Sequence, residues 1–201
     1  MDLLIVRHGE SEAAIEIREG EFDYDLTEKG HKEAELLATY LKENFKITKI
    51  YSSTLKRARQ TIKHVSDKLN LEVIFDEELV EFKEGLLAGV SKEKALKEFP
   101  LIKDLKDDEF VYGMESRLSF RTRASNMLNK IKKECSNDDV VLVLCHGGMI
   151  NELYATITNL PLSNNKTLFY TDDTGIHLWK LINDRIYIIK SNMSYHLKGL
   201  N

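Results

Sequence analysis

Two uninterrupted apolar runs each stop at a histidine followed at once by glycine. Leu3-Leu4-Ile5-Val6 leads into Arg7-His8-Gly9-Glu10, and Val140-Val141-Leu142-Val143-Leu144-Cys145 leads into His146-Gly147-Gly148. Runs of Leu, Ile and Val without polar alternation predict strands buried on both faces of a mostly parallel sheet. Ligands of such sheets bind beyond the carboxyl ends of the strands. The two imidazoles, far apart in sequence, are therefore expected at one rim, with Arg7 beside the first. That arrangement suits an anionic phosphoryl group.

The rest of the first half supports an α/β sheet. Thr27 reads as an N-cap, and Ala34, Leu37, Ala38, Leu41 and Phe45 follow at helical spacing. Ile47 to Tyr51 predicts a short strand. Ser52, Ser53 or Thr54 can cap the next helix, Thr54 to Leu69, whose apolar face is Leu55, Ala58, Ile62, Val65 and Leu69. Leu71 to Phe75 predicts a third strand. Strand and helix thus alternate, which implies right-handed crossovers. Glu77 to Glu115 is less regular and holds Gly85, Gly89, Pro100 and a charged run from Lys103 to Glu109. It reads as an excursion with a short helix near Ser91 to Phe99. Its part from 83 to 115 is either a lid over the site or a solvated loop. A helix from about Ser116 shows Phe120, Ala124, Leu128 and Ile131 on one face, and Gly148 opens another with Ile150, Leu153 and Ile157. The tail predicts a hairpin: Gly175 to Leu181, a turn at Asn183-Asp184, then Ile186 to Ile189.

A chain of 201 residues that is 42% hydrophobic is long enough for one sizeable core. One domain spanning 1–201 is the expectation. The net charge of −4, with both signs interspersed, gives no electrostatic case for nucleic acid or an anionic membrane. An anion site must then be a local concentration of Arg and Lys. Neither Cys135 nor Cys145 has metal-like spacing, and Cys145 ends an apolar run, so it is expected to pack as a small hydrophobe. A reduced, cytoplasmic setting fits, and no signal peptide or membrane-length apolar run is visible. The hairpin edge is either covered or pairs with a second copy, so a homodimer stays open.

Five side chains are candidates for the chemistry. Arg57, in Leu55-Lys56-Arg57-Ala58, projects from a helix N-terminus, where free N–H groups and the dipole favour an anion. Arg7 and Arg57 can clamp phosphate in a bidentate way. His8 is the candidate nucleophile, because a neutral imidazole nitrogen can hold a phosphoryl group covalently. Arg7 is expected to lower its pKa by like-charge repulsion, and a backbone carbonyl to fix its tautomer. His146 faces it across the phosphate, stabilising charge on the oxygens. Gly147 and Gly148 allow backbone N–H groups a close approach. A leaving alkoxide needs a proton donor. Glu81, in Leu79-Val80-Glu81-Phe82, has apolar neighbours that favour its protonated form, and Glu77, Glu78 and Glu84 compete with it.

Taken together, these residues resemble the histidine phosphatase superfamily, in its phosphoglycerate-mutase-like branch. The resemblance rests on Arg7-His8-Gly9-Glu10-Ser11, Leu26-Thr27-Glu28-Lys29-Gly30, and the stretch Tyr51 to Thr61 with its Leu55-Lys56-Arg57-Ala58 core. Leu79-Val80-Glu81, Gly113-Met114-Glu115-Ser116, Cys145-His146-Gly147-Gly148 and the tail from Asn192 to Leu197 follow in the same order. It implies a three-layer α/β/α sandwich with a mostly parallel sheet and a C-terminal β-hairpin. It implies a phosphatase that needs no metal or cofactor and that hydrolyses a small-molecule phosphomonoester through phosphohistidine. In that scheme His8 is the nucleophile. Arg7, His8, Arg57, His146 and the Gly147 amide bind phosphate, and Glu81 rather than its rivals moves the proton.

Two positions depart from the family pattern. Ala14 stands where members often carry a phosphate-holding Asn, and Leu87-Ala88-Gly89 replaces Trp-Glu-Gly. Both point to a weaker phosphate grip or an unusual substrate. A phosphoglycerate-type mutase is the nearest alternative. The stretch Phe99 to Arg117 mixes Lys103 and Lys106 with Asp104, Asp107, Asp108 and Glu109, a poor trap for a substrate carboxylate. A non-catalytic phosphate-binding module, and a phosphatase acting on phosphohistidine of a partner protein, are further readings. Phe22, Tyr24 and Phe82 either line the substrate side of the site or are ordinary packing residues.

Overall fold

The two apolar runs become neighbouring strands. In the computed structural model, which describes residues 1–15, 22–100, 102, 104–162, 167–183 and 185–200, β1 (Asp2–Arg7) lies parallel to β4 (Val140–Cys145), with Arg7 opposite Cys145. Completing the sheet are β2 (Lys49–Ser52), β3 (Val73–Phe75), β5 (Ile176–Ile182) and β6 (Arg185–Met193), in the order β3-β2-β4-β1-β5-β6. The pairs β1/β4, β2/β4 and β2/β3 are parallel, whereas β1/β5 and β5/β6 are antiparallel. The expected hairpin is the β5/β6 pair. Asn183 turns it with φ +49°, and Asp184 lies outside the described residues.

Helices cover both faces. On one side, α2 (Glu28–Asn44) and α3 (Lys56–Leu69) bury Leu37, Ala38, Leu41, Ala58, Ile62 and Val65 against Leu4, Val6, Ile50, Leu142 and Leu144. On the other, α5 (Arg117–Glu134) and α6 (Gly147–Ile157) bury Phe120, Ala124, Ile131, Ile150 and Leu153 against Leu3, Ile5, Val141 and Val143. Alternate residues of β1 and β4 thus feed two cores, which is why neither run could carry a polar residue. This is the three-layer α/β/α sandwich. Shorter pieces are α1 (Glu12–Ile15), α4 (Lys92–Glu98) and single 3-10 turns at Glu77–Leu79, Gly85–Leu87 and Tyr195–Leu197. No helix among the described residues is long and apolar enough to cross a membrane.

Several details differ from the sequence reading. The strands begin later than their apolar patterns, at Lys49 and Val73 instead of Ile47 and Leu71. Helix α6 begins at Gly147, with His146 in the N-cap position. The cap of α3 is not Ser52 or Thr54. Leu55 occupies the N-cap position, Asp23 accepts the Lys56 N–H from a separate loop, and Ser53 Oγ accepts only the Leu55 N–H, at 3.3 Å. An acidic group therefore already sits at that helix end, where the dipole favours it. Strand β6 forms the outer edge, with Tyr187, Ile188 and Ile189 exposed.

Candidate active site

Strand β1 ends in a turn clamped against α2. A Cβ on Gly9 would lie 2.7 Å from the Gly30 carbonyl oxygen, and one on Gly30 would lie 2.0 Å from the Glu10 oxygen. Only glycines permit this approach. Thr27 caps α2 through Gly30 N and also donates from its hydroxyl to Glu10 Oε1 at 2.8 Å. Glu10 N–H donates to Glu33 Oε2 at 2.8 Å, and Gly9 N–H donates to Thr61 Oγ1 at 3.1 Å. The Thr-Glu-Lys-Gly motif is thus the anchor that holds the residue after β1 in one place.

That residue is His8. Its Nδ1–H donates to the Gly9 carbonyl at 2.7 Å, so Nε2 carries the lone pair. Arg57, buried at the start of α3, donates from Nε to that lone pair at 3.2 Å. The two histidine rings lie 5.0 Å apart, centroid to centroid, at 58°. Burial pushes the His8 pKa well below the usual imidazole value, and Arg57 and then Arg7 push it further. Arg7, expected from its position next in the chain to be the cause, contributes least of the three: desolvation is the largest cause and Arg57 the larger charge effect. His146 is also held well below 6.5, first by burial and then by His8, Arg57 and Arg7. Its Nε2 meets Ser53 Oγ at 2.7 Å, while its buried Nδ1 has no partner among the described residues.

Arg7 is aimed from behind. Its NH1 donates to the Thr171 carbonyl at 2.8 Å, and its NH2 pairs with Asp173 at 3.2 Å. The loop 171–175 that supplies both groups is fixed by buried histidines: His177 Nε2 meets Thr171 Oγ1 at 2.8 Å, and His196 Nε2 meets Thr174 Oγ1 at 2.9 Å. Arg57 NH1 donates to the Phe22 carbonyl at 2.8 Å. Among the described residues, Asp173 and the Thr171 carbonyl orient Arg7 and the Phe22 carbonyl helps orient Arg57, while Arg7 Nε stays buried without a partner.

Glu81 reaches the same rim from the loop after β3. Its Oε2 accepts the Gly148 N–H at 2.9 Å, and its Oε1 accepts the Phe82 N–H at 2.9 Å. Two of its rivals, Glu77 and Glu78, form the preceding 3-10 turn. A Cβ on Gly148 would sit 2.2 Å from Glu81 Oε1, whereas Gly147 has only the Arg7 side chain, at 3.8 Å. Gly148→Ala is therefore expected to leave stability nearly intact, since a mobile carboxylate can move aside, yet to lower kcat/KM about 10- to 100-fold by displacing it. Melting and kinetics on the same preparation check both halves.

The structure thus brings together His8, His146, Arg7, Arg57, Glu81 and the Gly147-Gly148 turn. Ser53, Thr61, Thr171 and Asp173 also belong to this constellation. Their roles here have no signal in local spacing, although Ser53 and Thr61 fall within the Tyr51 to Thr61 motif, because each acts through a partner distant in sequence. Of the three aromatics, Phe82 packs against Phe120 at 5.4 Å and joins the core, and Tyr24 is buried. Phe22 is half exposed, its ring against Gly89, whose φ of +74° and missing Cβ permit the contact. Cys145 is fully buried, and burial raises its thiol pKa. Ala14 lies in α1, and its side chain is outside the described residues.

The pattern of the histidine phosphatase superfamily (branch 1) matches residues 3–193. The chain belongs to that family. It is 31% identical over 201 residues to phosphoserine phosphatase 1 of Hydrogenobacter thermophilus, covering 97% of this chain and 93% of that protein. It is 33% identical over 165 residues to a metal-independent phosphoserine phosphatase of Arabidopsis thaliana, covering 78% and 68% respectively. The fold is shared with a mycobacterial glucosyl-3-phosphoglycerate phosphatase solved with VO3, with a TM-score of 0.82 at 24% identity over 95% of this chain and 98% of that one. The family match and the phosphatase relatives make this histidine phosphatase a phosphomonoester hydrolase.

Proposed function

We propose that this histidine phosphatase hydrolyses a small-molecule phosphomonoester through a phosphohistidine on His8, without a metal. The observation that carries the reading is the His8 tautomer: Gly9 fixes the proton on Nδ1, and burial keeps Nε2 unprotonated beside Arg57 and His146. In the first step Nε2 attacks phosphorus, the ester P–O bond breaks, and a protonated Glu81 gives its proton to the leaving oxygen. In the second, the Glu81 carboxylate takes a proton from water. The water oxygen attacks phosphorus, the N–P bond breaks, and inorganic phosphate leaves neutral His8 behind. Arg7, Arg57, His146 Nδ1 and the Gly147 amide surround the phosphoryl oxygens through both steps.

Hydrolysis is favoured over mutase chemistry by the excursion. Among the described residues of Phe99 to Arg117, Lys106 pairs with Glu109 at 3.7 Å and Arg117 with Asp107 at 3.9 Å. These cations are neutralised locally and form no carboxylate trap. Relatives named phosphoserine phosphatase place phosphoserine first among substrates to try. The test is a panel of phosphoserine, sugar phosphates, nucleotides, phosphoglycerates and a phosphoprotein. The expected result is inorganic phosphate from at least one small phosphomonoester, with no exchange between 2- and 3-phosphoglycerate. Exchange without phosphate release would make the enzyme a mutase. Failure of every substrate, with no phosphate on His8, would make it a binding module.

A further inference from the structure

The candidate proton donor sits on an irregular stretch, and one buried guanidinium holds that stretch. Arg123, in α5, donates from NH1 to the Glu78 carbonyl at 2.8 Å and the Val80 carbonyl at 2.7 Å, and from NH2 to the Glu81 carbonyl at 3.1 Å. Its Nε donates to Glu115 Oε2 at 3.0 Å, and its NH2 pairs with Glu115 Oε1. The two side chains are 11% and 7% exposed, so this bidentate pair is shielded from water. Phe120, on the same helix, backs the guanidinium, with the ring centroid 4.8 Å away.

Glu115 also closes the base of the 83–115 excursion. Lys83 N–H donates to Glu115 Oε1 at 2.8 Å, and Glu115 N–H donates to the Lys83 carbonyl at 2.8 Å. Just beyond, Leu86 N–H meets the Tyr112 carbonyl at 2.9 Å. Gly85, with φ +54°, packs so closely on Gly113 that a Cβ would lie 2.3 Å from its carbonyl carbon. Three carbonyls flanking the acid and the neck of the excursion therefore hang on the same two side chains.

We propose that Arg123 is a positioning residue for Glu81, and that with Glu115 it couples the base of the excursion to delivery of the leaving-group proton. Arg123 touches no reacting atom. It acts by fixing the backbone from which the Glu81 carboxylate reaches Gly148. Lysine cannot replace it, because a point charge cannot serve three carbonyls and a carboxylate in a planar fork. The inference rests on the general-acid role given to Glu81 above.

Leaving-group dependence tests it. A nitrophenyl phosphate expels a stable phenolate and needs little protonation, whereas an alkyl phosphate such as phosphoserine needs the acid. Arg123→Lys is expected to lower kcat/KM for the alkyl ester about 10- to 100-fold and for the nitrophenyl ester by less than about threefold. Glu81→Gln is expected to show the same bias, and the double variant to be no worse than Glu81→Gln alone. Equal losses on both esters, or additive losses in the double variant, would overturn the proposal. Were Glu81→Gln itself to show no bias, the general-acid role would fail instead. If Arg123→Lys does not fold, Glu115→Gln, which keeps the amide-range geometry at Lys83 but weakens the grip on Arg123, takes its place in the same comparison.

Discussion

His8→Ala is expected to reduce phosphate release by at least about 10⁴-fold and to abolish acid-labile labelling of the protein by a phosphomonoester, while a chelator leaves the wild-type rate unchanged. The magnitude follows from what the side chain does. Its Nε2 is the lone pair that the Gly9 carbonyl, the burial and the Arg57 contact jointly prepare. The other groups described at this rim are committed elsewhere or lie off the line of attack. Glu81 is held by two backbone N–H groups, and His146 turns its Nε2 to Ser53. Water reaching the phosphorus directly would still enjoy Arg7, Arg57 and His146, so binding is expected to survive where turnover does not. Quenching with acid destroys phosphohistidine, so labelling is read after alkaline quench. A variant that keeps about a tenth of the wild-type rate, or a wild type silenced by chelator, would sink the covalent scheme.

The core of the site was readable because its carriers are extreme in composition. Six consecutive apolar residues ending in Cys145, short and rich in Val, favour a buried parallel strand, and the places of His8 and His146 follow from where such strands end. Arg57 was readable from its place at the start of a strongly patterned helix. What escaped notice were the residues that hold these groups. Asp173, Thr171 and Ser53 sit in loops with no periodicity, and each is defined by a partner more than 90 positions away. Asp23 caps α3 from outside the helix, which no local capping rule detects. Arg123 lies off the apolar face of α5 that the pattern marks; the fold buries it beneath Glu81. The start of β3 was misjudged because its three residues are half-exposed edge positions that carry little pattern.

A different use of histidine sets the protein's tolerance of acid. His177 is held at a pKa of about 4 by burial, and so is His196. His8 and His146 lie well below the ordinary value as well. In the unfolded chain each binds a proton near pH 6.5, whereas in the folded chain His177 and His196 do so only near pH 4. Between those limits the unfolded state carries more protons, so stability is complete above pH 6.5 and falls as pH drops toward 4. At pH 5 the loss is about 2 kcal/mol for each of His177 and His196. His8 and His146, which burial also holds below the ordinary value, add to the loss in the same direction. Glu33 and Asp173, whose pKa values burial raises, oppose this trend as they take up protons. Two carboxylates do not offset four imidazoles. Urea midpoints are therefore expected to fall steeply from pH 7.5 to 5, and His196→Gln, which can keep a bond to Thr174, to flatten part of that slope. A midpoint constant over this range would mean that the buried imidazoles are protonated in the folded state, and the neutral His8 on which the chemistry depends would have to be abandoned with it.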